Sequence, residues 1–331
     1  MSTNFGGLWQ GSVGFMTVWV AHLGRRFDIL QALARGRRPM SPAGLAAECG
    51  LYEPAVRAWC RAAFALRVIE HNGGLYRVPN STRRLLVSED SNDYIGGQFS
   101  YLALRSLDFG AFDELFKKGR VARGAATHLA EASGEATKWD HTAFVRLVLP
   151  RFPRLGSLLA RGARVLDLGC GAGGWDLRIA QRFPKSSFVG IDPDRRAVAR
   201  ARGTATELRL GARVRFAQGR GESLAYREAF DVVYLGEVLY ALSAKRKVLS
   251  NCRRALRAGG FLVVAEGLLE AQTNSRNPTN QLLSAMNLEY TLQGAGFLSK
   301  HELRELLQEG GLRGSQFFHA GGGLWFVVSR K

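Results

Sequence analysis

Residues 163–180 read "ARVLDLGCGAGGWDLRIA": an apolar strand-like run, a cluster of glycines, then a helical run. Glycines gather at a strand-to-helix turn when a ligand must come so close to the backbone that a Cβ would block it. Two spacings fit the cluster. Gly169, Gly171 and Gly174 satisfy the G-x-G-x-x-G of a dinucleotide site. Gly169, Gly171 and Gly173, with Asp167 ahead of them, satisfy D-x-G-x-G-x-G. Asp167 favours the second spacing. Its carboxylate would face a pyrophosphate unfavourably, but it suits a cofactor that carries positive charge.

Outward from this turn, strands and helices alternate. "RVLDLG", "SFVGID", "VRFAQG", "FDVVYLG" and "GGFLVVAEG" read as strands with helical stretches between them. Such alternation predicts a parallel sheet covered by helices. The chain then changes pattern: "KHELRELLQEGGL" reads as a helix, and "SQFFHAGGGLWFVVSRK" as two strands joined by glycines. The predicted fold is α/β, a Rossmann-like seven-stranded sheet finished by an antiparallel hairpin. A dehydrogenase would instead show two similar parallel halves. Asp192 closes the second strand in "GIDPD", where a carboxylate accepts both hydroxyls of a ribose.

The front of the chain differs in kind. "RRFDILQALA" has helical apolar spacing at Phe27, Leu30 and Leu33. "SPAGLAAECG" is a short helix capped by Ser41, with Pro42 in its first turn and Gly50 past its end. "EPAVRAWCRAAFALRVI" is a third helix with Val56, Trp59, Cys60 and Ala63 on one face, and "VIEHNGGLYRV" is a hairpin around Asn-Gly-Gly. Three helices and a hairpin make a mainly helical winged-helix domain, placed at 1–93. Trp59, Phe64 and Leu66 are assigned to its core or to an interface. Residues 94–156 read as a helical connector, with "LDFGAFDELFKKG" amphipathic and "KWDHTAFVRLVLPRF" helical up to its prolines. Residues 157–331 form the cofactor-binding domain.

The chain has 331 residues, 46 Lys and Arg against 28 Asp and Glu, and a net charge of +18. That charge suits nucleic acid, an anionic membrane or an acidic small molecule. The basic residues are dispersed, so nucleic acid is not the favoured partner. The apolar stretch 15–23 is too short to cross a membrane, and the N-terminus lacks the pattern of a secretory signal. A cytoplasmic protein without membrane attachment is expected. Cys49, Cys60, Cys170 and Cys252 show no metal-finger spacing.

The run from Val165 to Gly174, Asp192, the "FDVVYLGEVLYAL" strand and the final hairpin together resemble the class I S-adenosylmethionine-dependent methyltransferases. The winged front extends the resemblance to the small-molecule O-methyltransferases, whose N-terminal domain makes a dimer. By that resemblance S-adenosylmethionine is the cofactor and S-adenosylhomocysteine the product. Asp167, Gly169 and Gly171 would line its methionine and ribose part, and Cys170 and Gly236 would also contact the cofactor. Asp192 would hold the ribose hydroxyls, Pro193 would border the adenine, and Gly219 with Arg220 would close over it. Arg220 stands where many relatives carry an acid, with Glu222 two residues on. Trp139, Asn287 and Tyr290 would face the substrate.

A hydroxyl nucleophile needs a base. Relatives place a histidine after the fourth strand, and this chain has Tyr240 there. A phenol, with a pKa of about 10, is a poor base at neutral pH, though it can orient a substrate. His141 is the second candidate; a carboxylate, an amine, an acidic phenol or an enolised carbon would need no base, and a protein that only binds the cofactor is the third reading. Relatives that bind iron do so through histidines matching "LEYTLQG", which has none, so no metal is expected. The reading is a methyltransferase of a small anionic or phenolic molecule in secondary metabolism, by O-methylation or else N- or C-methylation, working as a homodimer. RNA or peptide methylation, and a DNA-binding cofactor sensor using Arg57 and Arg61, are the alternatives.

Overall fold

The computed structural model describes residues 3–36, 38–120, 127–269 and 277–331. The chain divides into two compact units, Met1–Asp108 with Glu131–Thr142, and Phe109–Ala130 with Ala143–Lys331.

The first unit opens with α1 (Thr3–Arg26), α2 (Ile29–Gly36), α3 (Pro42–Cys49) and α4 (Glu53–Ala65), then β1 (Glu70–Asn72) and β2 (Leu75–Arg77). Gly73 and Gly74 both take positive φ, as the tight turn between twisted strands requires. Met40 bridges to Tyr76 and ties the hairpin back to the helices. The cap of α3 forms as its sequence predicts: Ser41 Oγ accepts Gly44 N–H at 3.1 Å, and Gly50 is left-handed. Val56, Trp59, Cys60 and Ala63 of α4 are buried together, and Trp59 Nε1 donates to the Val20 carbonyl of α1.

Two expectations change here, and a third narrows. Phe27 is 44 % exposed instead of sharing a helix face with Leu30, because α1 stops at Arg26 and Asp28 turns left-handed before α2 begins. Phe64 lies outside the α4 core at 49 % exposure, a position that leaves the interface assignment standing. The helical reading also started too late. α1 extends back to Thr3, and its length up to residue 16 exposes Phe5, Leu8, Trp9, Phe15 and Met16.

A short helix α5 (Asn80–Thr82) continues as a π-helical turn, Arg83–Val87, and α6 (Gly96–Ser106) follows. α7 (Phe112–Lys118) has no fully buried side chain: on its expected apolar face Phe116 is exposed while Phe112 and Leu115 are half-buried. α8 (Leu129–Ala136) and α9 (Asp140–Ala143) lead through another π-helical turn, Phe144–Val148, to α10 (Pro153–Gly162).

The second unit is built on one sheet. Its elements run β3 (Arg164–Leu168), α11 (Gly174–Arg182), β4 (Ser187–Asp192), α12 (Arg195–Glu207), β5 (Val214–Gln218), β6 (Phe230–Gly236), α13 (Lys245–Ala255) and β7 (Leu256–Leu269). They continue with α14 (Pro278–Tyr290), β8 (Leu298–Ser299), α15 (Lys300–Glu309), β9 (Arg313–Gly321) and β10 (Leu324–Arg330). The order is β5-β4-β3-β6-β7-β10-β9, with β8 pairing the end of β7. β3 to β7 are parallel, whereas β10 runs antiparallel between β7 and β9. All seven expected strands are present, and the two-residue β8 adds an eighth. The strand order reverses at β3, so the crevice outside the C-terminal ends of β3, β4 and β6 is where such a sheet binds ligands.

Candidate functional site

The glycine turn sits at the carboxyl end of β3. Gly169, Gly171 and Gly173 all adopt positive φ, at 86°, 52° and 76°, while Gly174 simply starts α11. The conformation therefore follows D-x-G-x-G-x-G. A Cβ on Gly169 would lie 2.3 Å from Val238, and one on Gly173 would lie 2.5 Å from the Phe216 ring. At Gly171 a Cβ would meet nothing within 4 Å, so the turn opens there.

Asp192 shapes this opening. One carboxylate oxygen accepts Gly171 N–H at 2.9 Å and the other accepts Asp194 N–H at 2.8 Å. Each oxygen keeps a lone pair for a further donor. The turn is anchored below by Gly169 N–H on the Ile191 carbonyl. Beside it, Gly219 N–H reaches the Asp192 carbonyl, and Gln218 donates to the carbonyl of Pro193. Arg220 is exposed at the head of the next loop. Asn251 of α13, which the sequence did not flag, fixes that loop by donating to the carbonyls of Gly221 and Glu222.

The electrostatics of the turn oppose those of the whole chain. Burial, then the carboxyls of Asp167, Asp176 and Asp192, drive the Cys170 thiol far up. Three acids therefore converge on this one residue. Asp176 is fully buried and neither of its carboxyl oxygens has a hydrogen-bond partner; burial pushes it up to about 7, with neighbouring Asp167 pulling it part of the way back. Trp175 stacks on Tyr234 at 3.9 Å beside this pair, and the ring of Tyr234 fills the place a Cβ on Gly236 would need.

A second carboxyl pair lies one strand over. Glu266 of β7 is completely buried; one oxygen accepts Leu239 N–H at 2.8 Å and the other has no hydrogen-bond partner. Burial and the neighbouring Glu237 hold Glu266 well above the usual carboxylate range. Glu237, at the end of β6, is half-buried and takes a left-handed φ of 54°. Burial raises it to about 7. A bulky residue in that conformation is strained, and such strain gathers at functional sites.

Of the expected substrate groups, Tyr240 and Tyr290 are brought together, stacked at 4.4 Å, with Phe297 against both. Asn287 has a supporting place, accepting Phe297 N–H at 2.8 Å. His141 and Trp139 belong to the first unit. There His141 Nε2 lies 3.1 Å from Thr142 Oγ1, and Trp139 Nε1 donates to the Ser91 carbonyl. Among the described residues no group of three potential metal ligands is gathered, and no helix is long and apolar enough to cross a membrane.

Comparison with known proteins agrees with this geometry. Residues 159–311 match the family model described as a methyltransferase domain. The chain is 32 % identical over 135 residues to a trans-aconitate 2-methyltransferase of Deinococcus radiodurans, covering 41 % of this chain and 48 % of that protein. It is 33 % identical over 134 residues to a ubiquinone biosynthesis O-methyltransferase of Pseudomonas aeruginosa, covering 40 % of this chain and 53 % of that one. The chain thus spans about half the length of the sequence relatives it matches. The fold extends further. Human N-acetylserotonin methyltransferase in complex with SAM superimposes with a TM-score of 0.74 at 19 % identity, covering 100 % of this chain and 98 % of that one.

Proposed function

From a methyltransferase domain over residues 159–311, we propose that the protein is an S-adenosylmethionine-dependent enzyme that methylates an oxygen of a small organic molecule. The observation that carries this reading is the acidic turn, where Asp167, Asp176 and Asp192 surround Cys170 in a chain of net charge +18. A dinucleotide's pyrophosphate would be repelled there, whereas an ammonium and a sulfonium are attracted.

S-adenosylmethionine, when bound, supplies a methyl group already activated on its sulfonium. The residues of this chain bind, orient and remove a proton. Asp192 takes the ribose hydroxyls on its remaining lone pairs while its two backbone hydrogen bonds hold it still. The Asp167–Asp176 pair faces the amino end, and Gly169, Cys170 and Gly171 give the close backbone approach. Gly236, without a side chain, leaves the floor to Tyr234. Pro193, Gly219 and Arg220 border the adenine. Tyr240 and Tyr290 offer an aromatic wall for a planar phenolic acceptor, held by the Asn287-anchored loop. Orientation and exclusion of water contribute most where the methyl donor is already activated.

The acceptor's proton goes to the carboxyl pair Glu237–Glu266, which fills the part that Tyr240 cannot. A base poised near neutrality suits this task, and Glu237 is raised to about 7. His141 is the second candidate base, with Trp139 beside it as a substrate contact. Loss of turnover in Glu237→Gln but not in His141→Ala assigns the role to the pair, and the reverse assigns it to His141. The acceptor is proposed to be an anionic or phenolic product of secondary metabolism, and the enzyme a cytoplasmic homodimer joined through the exposed apolar half of α1.

Calorimetry tests the cofactor assignment. Wild type binds S-adenosylmethionine, and Asp192→Ala weakens it at least about tenfold, since a hydrogen bond to a charged group contributes about 1.5–3 kcal/mol. Equal affinity in the two proteins would remove Asp192 from the site.

A further inference from the structure

The first unit contains a cavity of about 280 Å³ that the methyltransferase reading does not use. Helices α1, α2, α6 and α8 contribute to its walls, and its lining is almost wholly polar. The cations Arg25, Arg26 and Lys138 face it, and each is already engaged. Arg25 donates to Ser100 and Tyr94 and pairs with Glu135; Arg26 pairs with Glu131 at 2.7 Å; Lys138 pairs with Glu135 at 2.6 Å and lies 3.7 Å from Glu89.

The acceptors in the same wall are not all filled. Asp28 is a fourth carboxylate beside Glu89, Glu131 and Glu135, so four anions face three cations. Burial, then the charge of Arg26, lowers the pKa of His22 and keeps its ring neutral at pH 7. His22 is 5 % exposed, and its Nδ1 is buried with no hydrogen-bond partner. Gln31 donates its amide to the Arg25 carbonyl, but its Oε1 is buried without a donor. Buried polar atoms left without partners are costly, and a neutral imidazole can present Nδ1 as its acceptor with the proton on Nε2. A lining one negative charge in excess, inside a strongly basic chain, suits a small cation.

We propose that this cavity binds a small primary ammonium ion, with its N–H groups donating to His22 Nδ1, Gln31 Oε1 and the Asp28 carboxylate. A primary ammonium has three donors and no acceptor, which matches three acceptors and one surplus negative charge. The small, polar cavity favours a short amine or diamine over an aromatic one.

The test titrates 1,4-diaminobutane into the full chain and follows the ¹⁵N signals of His22. Trp19, which meets the His22 ring edge-on at 5.8 Å, gives a second, fluorescent readout. Saturable binding with a shift of His22 Nδ1 is expected. Tetramethylammonium, equally charged per nitrogen but without N–H donors, should bind at least about tenfold more weakly. Asp28→Asn should lose about as much, and asparagine keeps the left-handed backbone of residue 28 (φ 57°). His22→Phe, which keeps a ring but no acceptor, should also weaken binding. No saturation at tens of millimolar, equal binding of tetramethylammonium, or wild-type affinity in both variants would each overturn the proposal and leave water as the occupant. None of these outcomes bears on the cofactor site.

Discussion

At the scale of single residues, what matters is which groups are forced into unusual states. Glu237 and Asp176 are each raised by burial to about 7. A carboxyl whose folded pKa lies above its unfolded value binds its proton more tightly when folded. Its contribution is therefore full below the unfolded pKa, and it is lost as pH rises through the folded one. The protein should lose thermal stability between pH of about 4.5 and about 7. In Glu237→Gln the decline should be shallower; an unchanged slope in a melting series across this range would show that Glu237 is not held protonated. Gly169 is constrained twice, by a φ of 86° and by Val238, which lies 2.3 Å from where a Cβ would stand. Gly169→Ala should cost at least about 1–2 kcal/mol from the left-handed backbone alone, read by urea unfolding. Val238→Ala in the same chain should relieve the clash and restore only part of the loss.

At the scale of elements, the strands were legible because each is a short apolar run closed by glycine or aspartate, as "RVLDLG" and "SFVGID" show. The third glycine of the turn was not decided by spacing, since Gly173 and Gly174 are adjacent; only backbone conformation separates them. The front half of α1 was missed for a local reason. Gly6, Gly7, Gly11 and Gly14 are poor helix formers, so propensity argued against the helix that forms. The carboxyl pairs were missed for a non-local one. Glu237 and Glu266 meet only because β6 and β7 pair in parallel, and the single signal was a charge inside the apolar run "FLVVAEG". The open face of α1 leads to a prediction of its own. Leu8→Ser with Trp9→Ser, at positions 69 % and 61 % exposed, should turn a dimer into a monomer in sedimentation velocity with the fold intact. A wild type that sediments as a monomer would remove the dimer from the account.

At the scale of the whole molecule, charge and site pull in opposite directions. A net +18 draws anions to the surface, while the glycine turn concentrates carboxylates, which suits the cationic cofactor proposed for it. The sheet order and the antiparallel β10 belong to a fold shared with the methyltransferase structure on which the chain superimposes. Arg57 of α4 is bound to Glu53 on its own helix, which leaves the DNA-reading alternative with less to work with. The central claim is methyl transfer to a small molecule, and one measurement tests it most directly. Incubate the protein with methyl-labelled S-adenosylmethionine and an extract of its source cells, and separate the products by size and by nuclease and protease sensitivity. The account predicts label in small material that resists both enzymes. Label in RNA or protein, or none despite tight cofactor binding, would contradict it.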